Sequence, residues 1–246
     1  MKASNLRYVL SAILIGLFGI AHAKTFLVSV GVADYSSFPA DATNLRCPVN
    51  DARAIADLYA KNKGVEYVVL TDKDATKDRI VRAMSKVYSR AKADDIVVFY
   101  YSGHGFPGGF CACDGWLDYD DVKDAFANCK SKNKMIFLDT CRSGSLRADT
   151  KHRTNIEEAA KNTNVMLFLS SRTNESSFER SIGEYAIFTT QLINGLKGEA
   201  DANSNSVITA KELFDFVSKK VARVSHDEQH PVMWGQFDDN MTVMKW

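Results

Sequence analysis

The chain has 246 residues, 46% of them hydrophobic and 25% charged, a balance that supports one packed globular core and excludes a disordered or fibrous chain. Its 31 basic and 30 acidic side chains are spread along the sequence and leave a formal net charge of +1, so there is no electrostatic footprint for nucleic acid or an acidic membrane surface. Function has to be argued from a site.

Residues 1–23 stand apart. Lys2 and Arg7 precede an apolar run from Tyr8 to Ile20, followed by Ala21-His22-Ala23. A charged start, a short apolar core and an Ala-x-Ala end form the layout of a secretory signal peptide, and the run is shorter than the roughly 20 residues of a spanning helix. The expectation is cleavage after Ala23 and an exported domain from 24 to 246, periplasmic or secreted.

Beyond that point, continuous apolar runs alternate with stretches of helical periodicity. Strands are expected at Phe26 to Val32, Tyr67 to Leu70, Ile96 to Tyr101, Met135 to Leu138 and Val165 to Leu169. Helices are expected near Asp51 to Asn62, Lys77 to Ala91, Asp118 to Ala127, Phe188 to Leu196 and Ala210 to Val224, with a final edge strand around Met241 to Met244. This alternation predicts an α/β fold, a mostly parallel sheet with helices on both faces. The polar stretch from Arg142 to Asn164 is expected to be a mobile, protease-sensitive loop.

In an open parallel sheet, ligands bind at the carboxyl ends of the strands. Two of the predicted strands run into residues with chemistry there: one into Ser102-Gly103-His104-Gly105, the other into Asp139-Thr140-Cys141-Arg142-Ser143-Gly144. A histidine and a cysteine at matching strand ends, with glycines that let backbone N–H groups approach a reacting carbonyl, are the parts of a thiol nucleophile and its acid–base partner. Five cysteines, Cys47, Cys111, Cys113, Cys129 and Cys141, leave at least one without an intramolecular partner. Two bridges around one reactive thiol, or five small buried hydrophobes, are both open.

Tyr100 to Gly105 and Asp139 to Gly144 resemble the two active-site signatures of the caspase-like peptidases, the group of caspases, metacaspases and many bacterial relatives. The resemblance continues through Leu45 to Ala52, Leu169 to Glu175 and Phe188 to Leu192, in the order of that family. It implies a caspase-haemoglobinase fold and a cysteine endopeptidase using His104 and Cys141, with the backbone N–H groups of Gly105 and Cys141 receiving the oxyanion. Two features depart from the caspases: the His-to-Cys spacing is 37 residues, shorter than the roughly 50 of caspases, and Asp139-Thr140 replaces Gln-Ala before the nucleophile. In metacaspases, an Asp at the position of Asp139 and a second one matching Asp51 form an acidic pocket. The resemblance therefore implies an enzyme that takes protein or peptide substrates with Arg or Lys before the cut. A monomer is expected, and because Arg147, Lys151 and Arg153 just beyond Cys141 match that specificity, self-processing is expected there. Two other assignments for the residues are a helix-opening acid at Asp51 and a turn-shaping one at Asp139. A catalytically silent binding module of the same fold is the alternative at the level of function.

No cofactor is required by such chemistry, but calcium stays open. Asp201, Asn203, Asn205, Thr209 and Glu212 follow the ligand spacing of an EF-hand loop, with Ser206 where that loop has Gly. Thr209 to Glu212 is equally a capping box, and with only two carboxylates the structural reading of this stretch leads, a weak calcium-binding interaction protein being the further alternative.

Overall fold

The computed structural model describes residues 23–39, 42–106, 108–142, 164–172 and 181–245. Residues 1–22 of the expected signal peptide and the 143–163 stretch with its basic residues lie outside the described residues.

Five strands run parallel: β1 (Thr25–Gly31), β2 (Val65–Thr71), β3 (Ile96–Phe106), β6 (Asn133–Arg142) and β7 (Met166–Leu169). They lie in the order β7-β6-β3-β1-β2, and the short strand β11 (Val232–Trp234) closes the β7 edge antiparallel. Two further short strands, β4 (Gly109–Ala112) and β5 (Gly115–Asp118), fold back antiparallel from the end of β3. Because β2 lies on one side of β1 and β3 on the other, the chain reverses its direction of winding between β1 and β3. That reversal opens a crevice at the carboxyl ends of these strands.

Side chains of β1 alternate between the two cores. Phe26, Val28 and Val30 pack with helices α2 (Lys77–Tyr88) and α3 (Tyr119–Ala127), while Leu27 packs with α1 (Pro48–Ala60), α4 (Ile187–Asn194) and α5 (Ala210–Val224). The central strands are buried on both faces, which is why they read as unbroken apolar runs. Gly31 fixes how α1 sits: a Cβ there would lie 2.1 Å from the Pro48 carbonyl oxygen, so the start of α1 rests directly on the end of β1. The first turn of α1, with Asp51, is thereby delivered to the crevice.

At the opposite end of the sheet, the buried Asp95 carboxylate accepts the backbone N–H of Lys24 at 2.8 Å and that of Lys92 at 2.7 Å, tying the entry to β1 to the entry to β3. Asp95→Ala leaves both donors without this acceptor and is expected to destabilise the fold by about 2–3 kcal/mol, read as a fall in denaturant midpoint.

All five expected strands and all five expected helices are present, α5 with the expected bounds and the others with one or both ends shifted. The largest shifts are at β3 and β6, which run on through His104 and Cys141, so both residues belong to strands and not to the loops after them. The expected terminal edge strand forms as β12 (Thr242–Lys245), but it pairs with the three-residue β10 (Val207–Thr209) in a separate ribbon; the edge of the main sheet is taken by β11. Short ribbons of this kind, including β8 (Ser181–Ile182) with β9 (Tyr185–Ala186), have too few residues to show a period.

Candidate active site

Strands β3 and β6 pair in register over ten positions, and the register sets the site. Ser102 faces Asp139, Gly103 faces Thr140, His104 faces Cys141 and Gly105 faces Arg142. Neighbouring strands lie about 4.8 Å apart, so the backbone brings the histidine and the cysteine into adjacent positions at the mouth of the crevice. Gly105, the expected oxyanion donor, follows His104 within β3 and faces Phe110 of β4 on its other side.

His104 is held from three directions. Its Nε2 lies 2.7 Å from the Thr43 carbonyl oxygen. A carbonyl can only accept, so Nε2 carries a proton and Nδ1 is the nitrogen left to take up and give back a proton. The backbone N–H of His104 donates to the Tyr35 hydroxyl at 2.7 Å, and its C=O accepts from the Tyr101 hydroxyl at 3.0 Å. Tyr101 also points its proton at the Cys111 carbonyl, which leaves Tyr35 as the donor in the 3.3 Å contact between the two hydroxyls. The Tyr35 ring packs on the imidazole with centroids 4.6 Å apart. Burial pushes the ionisation of both tyrosines upward, so they remain neutral phenols. Gly103 sits between these hydroxyls with φ 154, and a Cβ would lie 2.5 Å from the Tyr101 oxygen and 2.6 Å from the Tyr35 oxygen. Only glycine lets the two tyrosines close on the strand.

Tyr35→Phe keeps the ring and removes the acceptor of the His104 N–H. It is expected to lower kcat about tenfold with KM little changed, the loss of roughly 1.4 kcal/mol of positioning, as measured by steady-state kinetics on a small peptide. An equal rise in KM with unchanged kcat would show that Tyr35 shapes binding instead.

The two candidate pocket carboxylates meet at the start of α4. Asp51 is fully buried; its Oδ2 accepts from the Ser102 hydroxyl at 2.8 Å and its Oδ1 from the Ala186 N–H at 3.0 Å. Asp139, half-buried, accepts the backbone N–H of Thr189 at 3.1 Å and its hydroxyl at 2.6 Å, both on Oδ2. Ala186 caps α4 and Thr189 lies in its first turn, so the helix N-terminus supplies donors and partial positive charge to both acids. The Tyr100 hydroxyl bonds to Thr189 between them, and its ionisation is pushed far up, first by burial and then by the charges of Asp51 and Asp139. Asp51 is the first-turn acid that the alternative reading named, and its carboxylate also reaches out of that helix. Asp139 lies within a strand and shapes no turn, which corrects the other assignment.

Three of the thiols away from the site are poor nucleophiles. Cys111, Cys113 and Cys129 are buried and form no disulfide among the described residues, in line with the buried-hydrophobe reading of the cysteines. Burial pushes the Cys111 thiol up to about 12 and raises those of Cys113 and Cys129, which holds all three protonated near neutral pH. Four contributors to the site escaped the sequence reading: Tyr35, Thr43, Thr189 and the hydroxyl of Ser102. Thr43 acts through its backbone, which no side-chain pattern reveals. The others act across 50 to 69 residues of chain.

Comparison with known proteins gives a consistent account. Metacaspase-8 of Arabidopsis thaliana is 29% identical over 142 residues, 48% of this chain and 37% of that protein. Metacaspase-1 of Meyerozyma guilliermondii is 37% identical over 73 residues, 26% of this chain and 18% of that protein. The chain thus matches well under half the length of these curated relatives. A crystal structure of a Geobacter sulfurreducens protein superposes with a TM-score of 0.65 over 90% of this chain and 97% of that one, at 19% identity, and shares the fold. The profile of the Caspase domain, Peptidase_C14, matches residues 27–241. With that span covering all but the first two residues of the main sheet, including both strands that bring His104 and Cys141 together, the chain belongs to the caspase and metacaspase family of cysteine peptidases.

Proposed function

We propose that this protein is an exported cysteine endopeptidase that cuts after Arg or Lys with a Cys141–His104 dyad. The observation that carries the reading is the register of β3 on β6, which pairs His104 with Cys141 and, one pleat away, Ser102 with Asp139.

The chemistry is acyl transfer. The Cys141 thiolate attacks the scissile carbonyl, the C–N bond breaks as His104 delivers its Nδ1 proton to the leaving amine, and a thioester remains. Water, deprotonated by the same nitrogen, then attacks the thioester and returns the thiol. The Thr43 carbonyl steadies the imidazolium formed in each cycle. The N–H groups of Gly105 and Cys141 are the donors proposed for the oxyanion. Neither step calls on a metal ion. Asp51 and Asp139 both bond to the start of α4, and two carboxylates suit a guanidinium or ammonium while repelling an acidic side chain. Substrates are then proteins or peptides with a basic residue before the cut, and the chain's own Arg147, Lys151 and Arg153 meet that description.

The test is hydrolysis of fluorogenic peptides ending in Arg, Lys or Asp under reducing conditions. Turnover of the Arg and Lys peptides and none of the Asp peptide is the expected result. Turnover of the Asp peptide would overturn the acidic pocket, and silence on all three would favour a binding module that keeps the fold without the activity.

A further inference from the structure

The amide that joins Thr140 to Cys141 carries the Cys141 N–H, one of the two groups proposed to receive the oxyanion. An amide is planar and trans, so its C=O and N–H point in opposite directions and neither turns without the other. Whatever holds the Thr140 carbonyl therefore aims the Cys141 N–H.

The neighbouring strand supplies that hold. The paired register of β6 on β7 ends at Leu138 and Leu169, and the Ser170 N–H then donates to the Leu138 carbonyl at 2.9 Å. Beyond this bond the ladder is continued by a side chain: the Ser170 hydroxyl donates to the Thr140 carbonyl at 3.2 Å. β7 and β3 flank β6 on opposite sides, so an amide whose C=O is tied to the end of β7 directs its N–H toward β3, where His104 pairs with Cys141. Ser170 is buried, and in a buried setting a hydrogen bond on the C=O polarises the amide and makes the N–H at its far end a better donor.

Ser170 is braced in turn. Its C=O accepts from Gln229 Nε2 at 2.8 Å, and the Gln229 N–H donates to the Ser225 hydroxyl at 3.0 Å. Ser225 is buried at the end of α5, and the turn from it to Gln229 passes through His226 and Asp227 with φ 54 and 67, which returns the chain to the helix end. Thr140 also meets the second proposed donor. A Cβ at Gly105 would lie 3.1 Å from the Thr140 Cβ and 3.3 Å from its Oγ1, so the threonine side chain rests against the Gly105 backbone. One residue touches both groups, Gly105 through its side chain and Cys141 through the shared amide, and Ser170 fixes that residue from the side away from β3.

We propose, resting on the peptidase reading above, that Ser170 is a positioning residue for the oxyanion. Its hydroxyl holds and polarises the 140–141 amide, so that the Cys141 N–H meets the negative charge formed when the thiolate adds to the scissile carbonyl. Gln229 steadies Ser170 from behind. Ser170 touches no reacting atom, and its contribution arises only where charge develops on the carbonyl oxygen.

Ser170→Ala, beside the wild type, separates this role from a structural one. kcat for an Arg- or Lys-ending peptide should fall about fivefold to tenfold, with KM within about twofold. Inhibition by a peptide aldehyde, whose thiohemiacetal carries the same oxyanion, should weaken by a similar factor. Alkylation of Cys141 by iodoacetamide displaces iodide and creates no oxyanion, so its rate should stay at the wild-type value. Ser170→Thr, which keeps the hydroxyl, should recover most of the loss, and Gln229→Ala should show the same pattern at about twofold to threefold. An unchanged kcat in Ser170→Ala, or alkylation that slows together with hydrolysis, would overturn the role and leave Ser170 as a brace for the strand end. Thermal unfolding checks that the alanine variant is folded; should it not be, Gln229→Ala decides by the same split between kcat and alkylation. A wild type inactive on every peptide would instead remove the peptidase reading, and this role with it.

Discussion

Cys141→Ala is expected to reduce hydrolysis of an Arg-ending peptide at least about 10³-fold, to the background of the assay, because the other four thiols, Cys47 included, are buried away from substrate. Cys111, Cys113 and Cys129 are buried and held protonated by burial, so at neutral pH they supply negligible thiolate. The sign is clear: a thiol whose ionisation is raised stays neutral until the pH approaches its raised value. His104→Ala should cost as much, and the double variant no more than either single one, since a nucleophile without its proton acceptor and an acceptor without its nucleophile are equally idle. The same contrast can be read without substrate. Brief treatment of the folded chain with iodoacetamide, followed by peptide mapping, should place one fast label, on Cys141. Fast labelling of Cys111 instead, or equal turnover by wild type and Cys141→Ala, would remove the dyad.

How much of this was legible in the sequence depended on whether the signal was local. Strands buried on both faces announce themselves as apolar runs, and β1, β3 and β6 were found for that reason, within a few residues at their starts. Their far ends were missed because Ser102 to His104 and Asp139 to Cys141 are polar or small, while the pairing that keeps them in the sheet is made by backbone atoms across the ladder. Helix α5 was found to the residue, its Thr209–Glu212 box being a local signature. Strand β11 has three residues and only tertiary support.

The site divides in the same way. His104, Cys141, Asp51 and Asp139 stand out by residue type and by family resemblance. What holds them does not: Tyr35 belongs to the β1–α1 connection, and its value lies in a hydroxyl that meets the His104 N–H 69 residues later. That connection is anchored in turn by Asp72, whose carboxylate accepts the N–H groups of Ala33 at 2.8 Å and Asp34 at 3.0 Å. Asp72 takes a left-handed φ of 44 to do so, a conformation uncommon outside glycine. Residue type points to the reacting groups, and the fold supplies the frame that orients them.

Specificity gives the second large effect. Asp139→Asn is expected to lower kcat/KM for Arg and Lys peptides by about 10²-fold, the loss of one charge-assisted partner of a desolvated cation, with most of the change in KM. The substitution is mild for the fold, because the Asn carbonyl can still accept from the Thr189 N–H and hydroxyl that Asp139 bonds now. Asp51→Asn removes the other charge and should have a similar effect, with some added loss of stability because Asp51 is fully buried and joins Ser102 of β3 to Ala186 at the start of α4. If both carboxylates hold the same guanidinium, the double variant loses less than the product of the two single effects, since once one partner is gone the cation is no longer fixed for the other. Steady-state kinetics on matched Arg and citrulline peptides would measure this directly: citrulline keeps the shape and drops the charge. The wild type should prefer Arg strongly and the double variant should not. A double variant that still favours Arg over citrulline by the wild-type ratio would mean that the basic side chain is read elsewhere, and Asp51 and Asp139 would then be left with the structural task of holding the first turn of α4.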